Sequence, residues 1–330
     1  MAASQQHTPV AEEETAAARP GERETAPGSA GGPPAATKPG AQQPGRRRRV
    51  ETTLFTLPAF LFQLSWGWYP MIMAFVLSFT DAALRRPVSF TGLESYQRVW
   101  DDPLVAESFR VTAVYTVLSI LLTFFIPIFV AILLMEMSRR HIRWMMLLWF
   151  LPLSGVASTV LFRYMFNAQY GLFQWVATDV LGLPPQPFLN SADQVLFWLV
   201  VPGILFFGPG LIYMATLQSI PASYFEAAEI EGAGFWRKMW TISLPRLRPV
   251  ISMLLIFAII GSTQAFEFPT IMTGPEGSPG GAARTVVMYL YLMLQQLRYA
   301  DATALGVYLF VITMILVVIQ RRFFREDPDT

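Results

Sequence analysis

The chain has no cysteine, and its only histidines are His7 and His141. Without cysteine it cannot form a disulfide, a thiolate metal site or a cysteine nucleophile. Two histidines so far apart along the chain argue against a histidine-based metal or catalytic site. We therefore predict no catalytic residue, no metal site and no cofactor bound by this chain.

Charge is also scarce, because charged residues make up only 14% of the 330 residues and hydrophobic residues make up 53%. A soluble domain carries roughly 25% charged residues. The charges cluster and leave long apolar runs, and about 18 or more apolar residues can cross a bilayer as a helix. The composition therefore predicts a membrane protein. A net charge of +1 gives no electrostatic reason to expect nucleic-acid binding.

Six apolar segments are long enough to span a bilayer, which predicts an all-α, polytopic membrane fold. The predicted spans are residues 54–79, 111–135, 144–166, 195–217, 250–272 and 304–319. Residues 285–297 are apolar as well, but this segment has only about 13 residues and is bounded by Arg284 and Arg298. We predict a re-entrant or interfacial helix there, and not a seventh span.

The ends of the chain differ from its middle. Residues 1–49 are rich in Ala, Pro, Gly, Glu and Thr, and they close with Arg46 to Arg49. Such a segment buries too little apolar surface to offset its conformational entropy, so we predict a disordered tail. It lacks the apolar core of a signal peptide, and the arginines before the first span are typical of a topology anchor. Residues 50–325 form the predicted membrane domain, and 326–330 form a short C-terminal tail.

Basic residues indicate how the chain lies in the membrane. If the N-terminus is cytoplasmic, the inner side carries 14 Lys and Arg and the outer side 7, with three more in the tail. This bias has the sign that the positive-inside rule expects. Both termini and the polar segment 220–249 are therefore predicted to be cytoplasmic.

The polar segment 220–249 has the local signals of a helix–turn–helix. Ser223 and Glu226 have the spacing of a capping box, which predicts that a helix begins at Ser223. Gly232 and Gly234 predict where that helix ends, because glycine readily adopts positive φ. Leu244-Pro245 is predicted to break a second short helix before the fifth span, which Pro249 would open.

The same segment contains a longer pattern: Glu-Ala-Ala at 226–228, three residues, Gly232, nine residues, Ile242, one residue, and Leu244-Pro245. This pattern resembles the EAA loop of ABC importer permeases, with every fixed position filled, and we call residues 220–249 the EAA segment. The likeness to maltose-type sugar permeases covers roughly residues 52–324. It is carried by Ser78-Phe79-Thr80-Asp81, Phe90 to Tyr96, Phe166 to Gly171, Leu217 to Pro221, Phe266-Glu267, and a reduced Gly274-Pro275.

The resemblance implies the fold of a type I ABC importer permease and a set of partners. These are a second permease subunit, two ABC ATPase subunits and an extracytoplasmic solute-binding protein. The residues that would contact the ATPase are Glu226, Ala227, Ala228, Glu231, Gly232, Gly234, Leu244 and Pro245. No G-x-x-x-x-G-K-[ST] motif occurs in this chain. We therefore expect ATP and Mg²⁺ to be bound by the partner subunits, and this subunit not to be an enzyme.

A tentative substrate pathway follows from polar residues near the predicted fifth span. A charge inside a span costs about 2.5–3.5 kcal/mol and by default marks a functional position. Glu267 is such a charge, and with Gln264 and Phe266 it offers a carboxylate, an amide and a ring suited to sugars. Alternatively, Glu267 lies near the outer end of the span, where water or a partner solvates it. Asn167 and Gly208 complete the candidate pathway, although Gly208 also suits close helix packing.

Several functions remain open at this point. The first is sugar uptake, and the second keeps the EAA segment but carries another small solute, such as a polyol or glycerol phosphate. A membrane-embedded enzyme would need converging polar residues, which the predicted spans do not offer. A receptor or scaffold gives no reason for the full EAA pattern.

Overall fold

The computed structural model describes residues 46–82, 89–150, 156–205 and 209–324. The described part is helical, and its only β-type pairing is an isolated bridge between Thr80 and Phe90. This confirms the all-α prediction. The predicted tails at 1–45 and 325–330 lie outside the described residues.

The first two predicted spans are long helices that each contain a π-helical turn. The first consists of α1 (Arg46–Gln63), the π turn Leu64–Trp68 and α2 (Tyr69–Leu77). After α3 (Glu94–Asp101), the second consists of α4 (Pro103–Ser119), the π turn Ile120–Phe125 and α5 (Ile126–Met135). The second span begins earlier than predicted, because the Asp102 side chain accepts a hydrogen bond from the backbone N–H of Leu104 and caps the helix ahead of Pro103.

The third and fourth predicted spans are each described as two shorter helices. The third consists of α6 (Arg139–Phe150) and α7 (Val156–Met165), and the fourth of α9 (Val195–Leu205) and α10 (Gly210–Gln218). The short helix α8 (Leu172–Trp175) lies between these two spans in the sequence. Residues 151–155, between α6 and α7, and residues 206–208, between α9 and α10, lie outside the described part.

The second helix of the EAA segment runs into the fifth span without the predicted break. The helices are α11 (Ala222–Ile230), α12 (Phe235–Lys238), α13 (Leu244–Thr263) and α14 (Glu267–Thr273). A π turn, Met239–Ser243, joins α12 to α13, so that one helix runs over Phe235–Thr263. The predicted break at Leu244-Pro245 is therefore wrong. Pro245 directly follows the π turn, and such a local change of hydrogen-bond register accommodates its missing N–H inside the continuous helix.

The last two helices are α15 (Val286–Gln295) and α16 (Tyr299–Phe323). With 10 residues, α15 is too short to span a bilayer, as predicted. By length and composition, four helices of the described part can cross a membrane: Leu54–Leu77, Pro103–Met135, Phe235–Thr263 and Tyr299–Phe323.

An apolar core holds the EAA segment to the helix bundle. Tyr213 and Leu217 of α10 pack with Leu134 of α5, Met239 and Leu247 in one buried cluster. Since these residues come from three different helical regions, burying them fixes where the EAA segment leaves the bundle.

A polar network lies at the other end of the second span. We call it the Asp301 network: Arg98, Asp102, Tyr289, Arg298 and Asp301. The buried Asp301 carboxylate accepts hydrogen bonds from Nε of Arg98 and Nε of Arg298, each at 3.0 Å. The Tyr289 hydroxyl donates to Asp102 at 2.6 Å. Burial, followed by this hydrogen bond, raises the pKa of Tyr289, so the hydroxyl keeps its proton and remains a donor.

Candidate functional site

The EAA helix α11 begins one residue earlier than predicted. Pro221 is its N-cap residue, with φ −57° and ψ 136°, and no side chain caps the helix. The predicted capping box is therefore wrong, because Ser223 already lies inside the first turn. Proline immediately before the helix, with its fixed φ, sets the start in its place. The Glu226 side chain is consequently not drawn back to the backbone and is exposed.

Gly232 ends α11, as predicted. Its φ is +76°, and two hydrogen bonds close the turn around it, from N–H of Gly232 to O of Glu229 at 2.9 Å and from N–H of Ala233 to O of Ala228 at 2.8 Å. This is a Schellman motif, in which glycine occupies the left-handed position. Gly234 differs, since its φ of −71° and ψ of 173° are extended backbone that any residue can adopt.

The surface of α11 combines small side chains with exposed apolar ones. Ala227 is exposed and Ala228 half-buried, while Ile230 is 88% exposed. The neighbouring Trp236 and Trp240 are 67% and 63% exposed. Large apolar side chains exposed on an otherwise polar segment are typical of a surface that another molecule covers.

The remaining predicted contact residues lie at the edges of this surface. Glu231 is the exposed C-cap residue of α11. Leu244 is half-buried against the apolar core, and Pro245 beside it is exposed. Leu244 therefore anchors the segment, whereas Pro245 and Glu231 are accessible.

Lys238, which sequence reasoning missed, holds the EAA segment to the second span. Its side chain is 8% exposed, and its Nζ lies 2.9 Å from Oε1 of Glu136 and 2.9 Å from Oε1 of Glu229. Glu136 follows α5, and Glu229 lies on α11.

A second contact holds the other half of α11. The guanidinium carbon of Arg246 lies 5.3 Å from the centroid of the Tyr224 ring, a cation–π geometry. Arg246 belongs to α13, so α11 is attached to the fifth helix near both of its ends. The two contacts pair residues nine or more positions apart in the sequence, and local spacing gave no signal for them.

The candidate pathway residues of the fifth span lie beyond its end. Gln264 is the exposed C-cap residue of α13, and Glu267 is the exposed first residue of α14. The half-buried Phe266 between them has its ring centroid 5.2 Å from that of Tyr291. The continuous helix ends at Thr263, and Glu267 begins the next helix. This break favours the alternative position of Glu267, near the end of the span.

Of the other two pathway candidates, the structure describes one. Asn167 follows α7, and its Oδ1 accepts hydrogen bonds from the backbone N–H groups of Gln169 at 2.9 Å and Tyr170 at 3.2 Å. Its side chain therefore stabilises a turn. Gly208 lies outside the described residues.

The two candidate sites lie at opposite ends of one helix. Phe235–Thr263 has 29 residues, which corresponds to about 43 Å at the rise of an α-helix. The EAA segment begins before this helix and continues into its first turns. Gln264, Phe266 and Glu267 follow the last turn of the helix. Among the described residues, no group of three or more His, Cys, Asp or Glu side chains could hold a metal ion.

Comparison with known proteins relates this architecture to transport permeases, although no family model matches the chain. The chain is 31% identical over 270 residues to the sulfoquinovosyl glycerol transport system permease protein SmoG of Agrobacterium fabrum, covering 78% of this chain and 84% of that protein. It is 29% identical over 294 residues to the arabinooligosaccharides permease AraP of Bacillus subtilis, covering 87% and 92%. It is 28% identical over 282 residues to the trehalose/maltose permease MalF of Thermococcus litoralis, covering 83% and 94%.

Solved structures show the same fold. A bacterial ABC transporter that imports the acidic polysaccharide alginate matches with a TM-score of 0.74 at 20% identity, over 84% of this chain and 96% of that one. The same kind of transporter, in complex with an alginate pentasaccharide-bound periplasmic protein, matches with a TM-score of 0.73 at 22% identity, over 84% and 95%.

The fold is that of an ABC importer permease, and the relatives identify the chain as a multi-pass membrane permease subunit. The chain belongs to the family of permease subunits of ABC sugar transport systems.

Proposed function

We propose that this chain forms half of a translocation pathway for a carbohydrate and that its EAA segment docks on a partner ATPase subunit. The observation that carries the docking proposal is the exposed surface of the EAA segment. Glu226, Ala227 and Ile230 are exposed on α11, and Trp236 is exposed on α12. The proposed contact residues are Glu226, Ala227, Ala228, Glu231, Gly232, Gly234, Leu244 and Pro245.

Partner subunits would supply the energy and the cargo. The chain has no phosphate-binding loop of the Walker A type, so ATP and Mg²⁺ would be bound by two ATPase subunits. Hydrolysis would shift the population between inward-open and outward-open states, which requires different affinities of nucleotide and cargo for the two states. The solved relative bound to a periplasmic protein supports an extracytoplasmic binding protein as the donor of the cargo.

A second permease subunit would complete the pathway. Helix α2 has no buried residue, and its Met71, Ile72 and Phe75 are exposed within this chain. An apolar helix surface of this kind suits lipid or a neighbouring permease. The excess of basic residues on one side, 14 against 7, supports a cytoplasmic position for both termini and for the EAA segment.

The class of cargo is inferred from relatives. Those described above carry sulfoquinovosyl glycerol, arabinooligosaccharides and trehalose or maltose, and we propose a sugar for this chain. A polyol or glycerol phosphate is the alternative. The two are separated by measuring which compounds in a panel of sugars, polyols and glycerol phosphate bind the purified solute-binding protein of the same system. Gln264, Phe266, Glu267, Asn167 and Gly208 remain the tentative pathway residues.

Docking is tested by Glu226→Lys. We expect this variant to insert into the membrane normally but to abolish uptake and to lose the ATPase that co-purifies with the tagged chain, because it reverses the charge at the centre of the proposed contact. The matched control is Glu276→Lys, an exposed glutamate after α14, beyond the far end of the fifth helix. Full uptake and unchanged ATPase capture by Glu226→Lys would refute the docking assignment.

A further inference from the structure

Lys238 is the most buried cation with two anionic partners in the described part of the chain. Its side chain is 8% exposed, whereas the side chains of its partners Glu136 and Glu229 are 43% and 60% exposed. The ammonium is therefore the enclosed member of the cluster, and both of its ion pairs are 2.9 Å long. At this distance each is a charge-assisted hydrogen bond with a defined direction.

The cluster joins three elements that are separate in the sequence. Lys238 ends α12 and belongs to the continuous helix Phe235–Thr263, Glu229 lies in the last turn of α11, and Glu136 caps the end of α5. One side chain thereby connects the EAA helix, the fifth span and the second span.

Such a cluster fixes geometry more than it adds stability. The cost of taking a buried charge out of water offsets most of its attraction to its partners, so the ion pairs add little net stability. Loss of one partner, however, leaves a buried charge without compensation. The apolar packing of Tyr213 and Leu217 on Leu134 also connects α10 with α5. That contact is non-directional, and it reaches α11 only through the chain at 219–221.

We propose that Lys238 is a positioning residue that transmits movement of the EAA helix to the second span through Glu136. The proposal rests on the proposed docking of an ATPase on α11. When the ATPase moves α11, the fifth span follows through its covalent connection and the contact between Arg246 and Tyr224. The second span follows because Glu136 at its end and Glu229 on α11 both bind the Lys238 ammonium.

The test uses the absence of cysteine in the chain. Ser223→Cys on α11 and Met137→Cys after α5 are exposed positions that take no part in the cluster. Both are spin-labelled, and the distance between them is measured in the complex with the co-purified ATPase, without nucleotide and with Mg·ATP plus vanadate. With the cluster intact, we expect one narrow distance that is the same in both states, since α11 and the second span move together.

Two variants break the link in different ways. Lys238→Met removes both ion pairs, and Glu136→Gln removes the charge of the second span while Lys238 and Glu229 remain paired. We expect the distance to broaden and to shift on nucleotide addition in both variants. Glu136→Gln is the decisive variant. If the role of Lys238 were confined to the EAA segment, the distance between the two labels in this variant would stay narrow and would not change on nucleotide addition. Lys238→Arg keeps the positive charge and should show the same narrow distance as the intact cluster.

The matched control is Arg237→Met, which removes an exposed cation one residue away and should leave the distance unchanged. A narrow, nucleotide-independent distance in Glu136→Gln would overturn the proposed role of Lys238. The proposed function would still stand in that case, provided that the intact chain captures the ATPase. Failure of the intact chain to capture any ATPase would overturn both.

Discussion

Gly232 and Lys238 show how single residues shape the EAA segment. Gly232 closes the Schellman turn at φ +76°, and a Cβ built on it would meet no atom within 4 Å. The constraint at this position is therefore backbone conformation and not crowding. Gly234 also has open space around it, but its φ is negative. The left-handed conformation that favours glycine is therefore required at Gly232 and not at Gly234.

We expect Gly232→Ala to destabilise the purified protein by about 1 kcal/mol, the typical cost of a left-handed L-residue. Gly234→Ala is the matched control. It should change stability by less than about 1 kcal/mol, because alanine restricts the unfolded chain but is a poorer N-cap residue of α12 than glycine. Thermal unfolding of both variants in detergent checks this. A greater loss of stability in Gly234→Ala than in Gly232→Ala would contradict the role given to the turn.

Local spacing predicted some residues and missed others. Gly232 could be predicted because a helix end and its glycine are neighbours in the sequence. Lys238 could not, since Glu136 is about a hundred residues away and only the packing of α5 and α10 brings it near. The capping box failed for a related reason, because Pro221 sets the helix start and leaves Ser223 inside the first turn.

At the scale of elements, hydropathy located the long helices but not their ends. The second span begins at Pro103 because Asp102 caps it, and the fifth begins at Phe235 because a π turn carries it past Leu244-Pro245. Neither a polar cap nor a change of hydrogen-bond register alters the mean hydropathy of a window. The fifth helix likewise ends at Thr263, ahead of the predicted end at residue 272.

The Asp301 network shows how the far ends of helices are joined. Asp301 on α16 holds Arg98 of α3 and Arg298, the residue before α16. Arg298 also lies 3.8 Å from Asp102 at the start of the second span. The network therefore fastens α3, α4 and α16 together at the end of the bundle opposite the EAA segment.

We expect Asp301→Asn to destabilise the protein by about 2 kcal/mol. This is less than the 3–5 kcal/mol for a fully buried pair, because both arginines keep partial contact with water. Glu94→Gln is the control, since Glu94 is exposed and 3.9 Å from Arg98, and it should change stability by less than about 1 kcal/mol. Equal unfolding temperatures for the two variants would show that Asp301 does not organise this end.

At the scale of the whole molecule, the helix Phe235–Thr263 connects two regions to which the proposed function gives different tasks. The EAA segment lies at its start, and Glu276 lies in the loop that follows α14, beyond its end. An ATPase in the cytoplasm can reach only one of these regions. The proposed function therefore requires a single orientation of the chain, which the distribution of basic residues favours.

We expect a membrane-impermeant maleimide added to intact cells to label Glu276→Cys, and to label Ser223→Cys only after the cells are permeabilised. The unmodified chain is the background control, because it has no cysteine to react. The physical reason is that Lys and Arg near the spans favour the cytoplasmic side, and the predicted topology puts the EAA segment on the side that carries 14 of these residues. The reverse labelling pattern would place Ser223 and the whole surface of α11 outside the cell. No cytoplasmic ATPase could then touch it, and the coupling role of Lys238 would fail with the docking proposal.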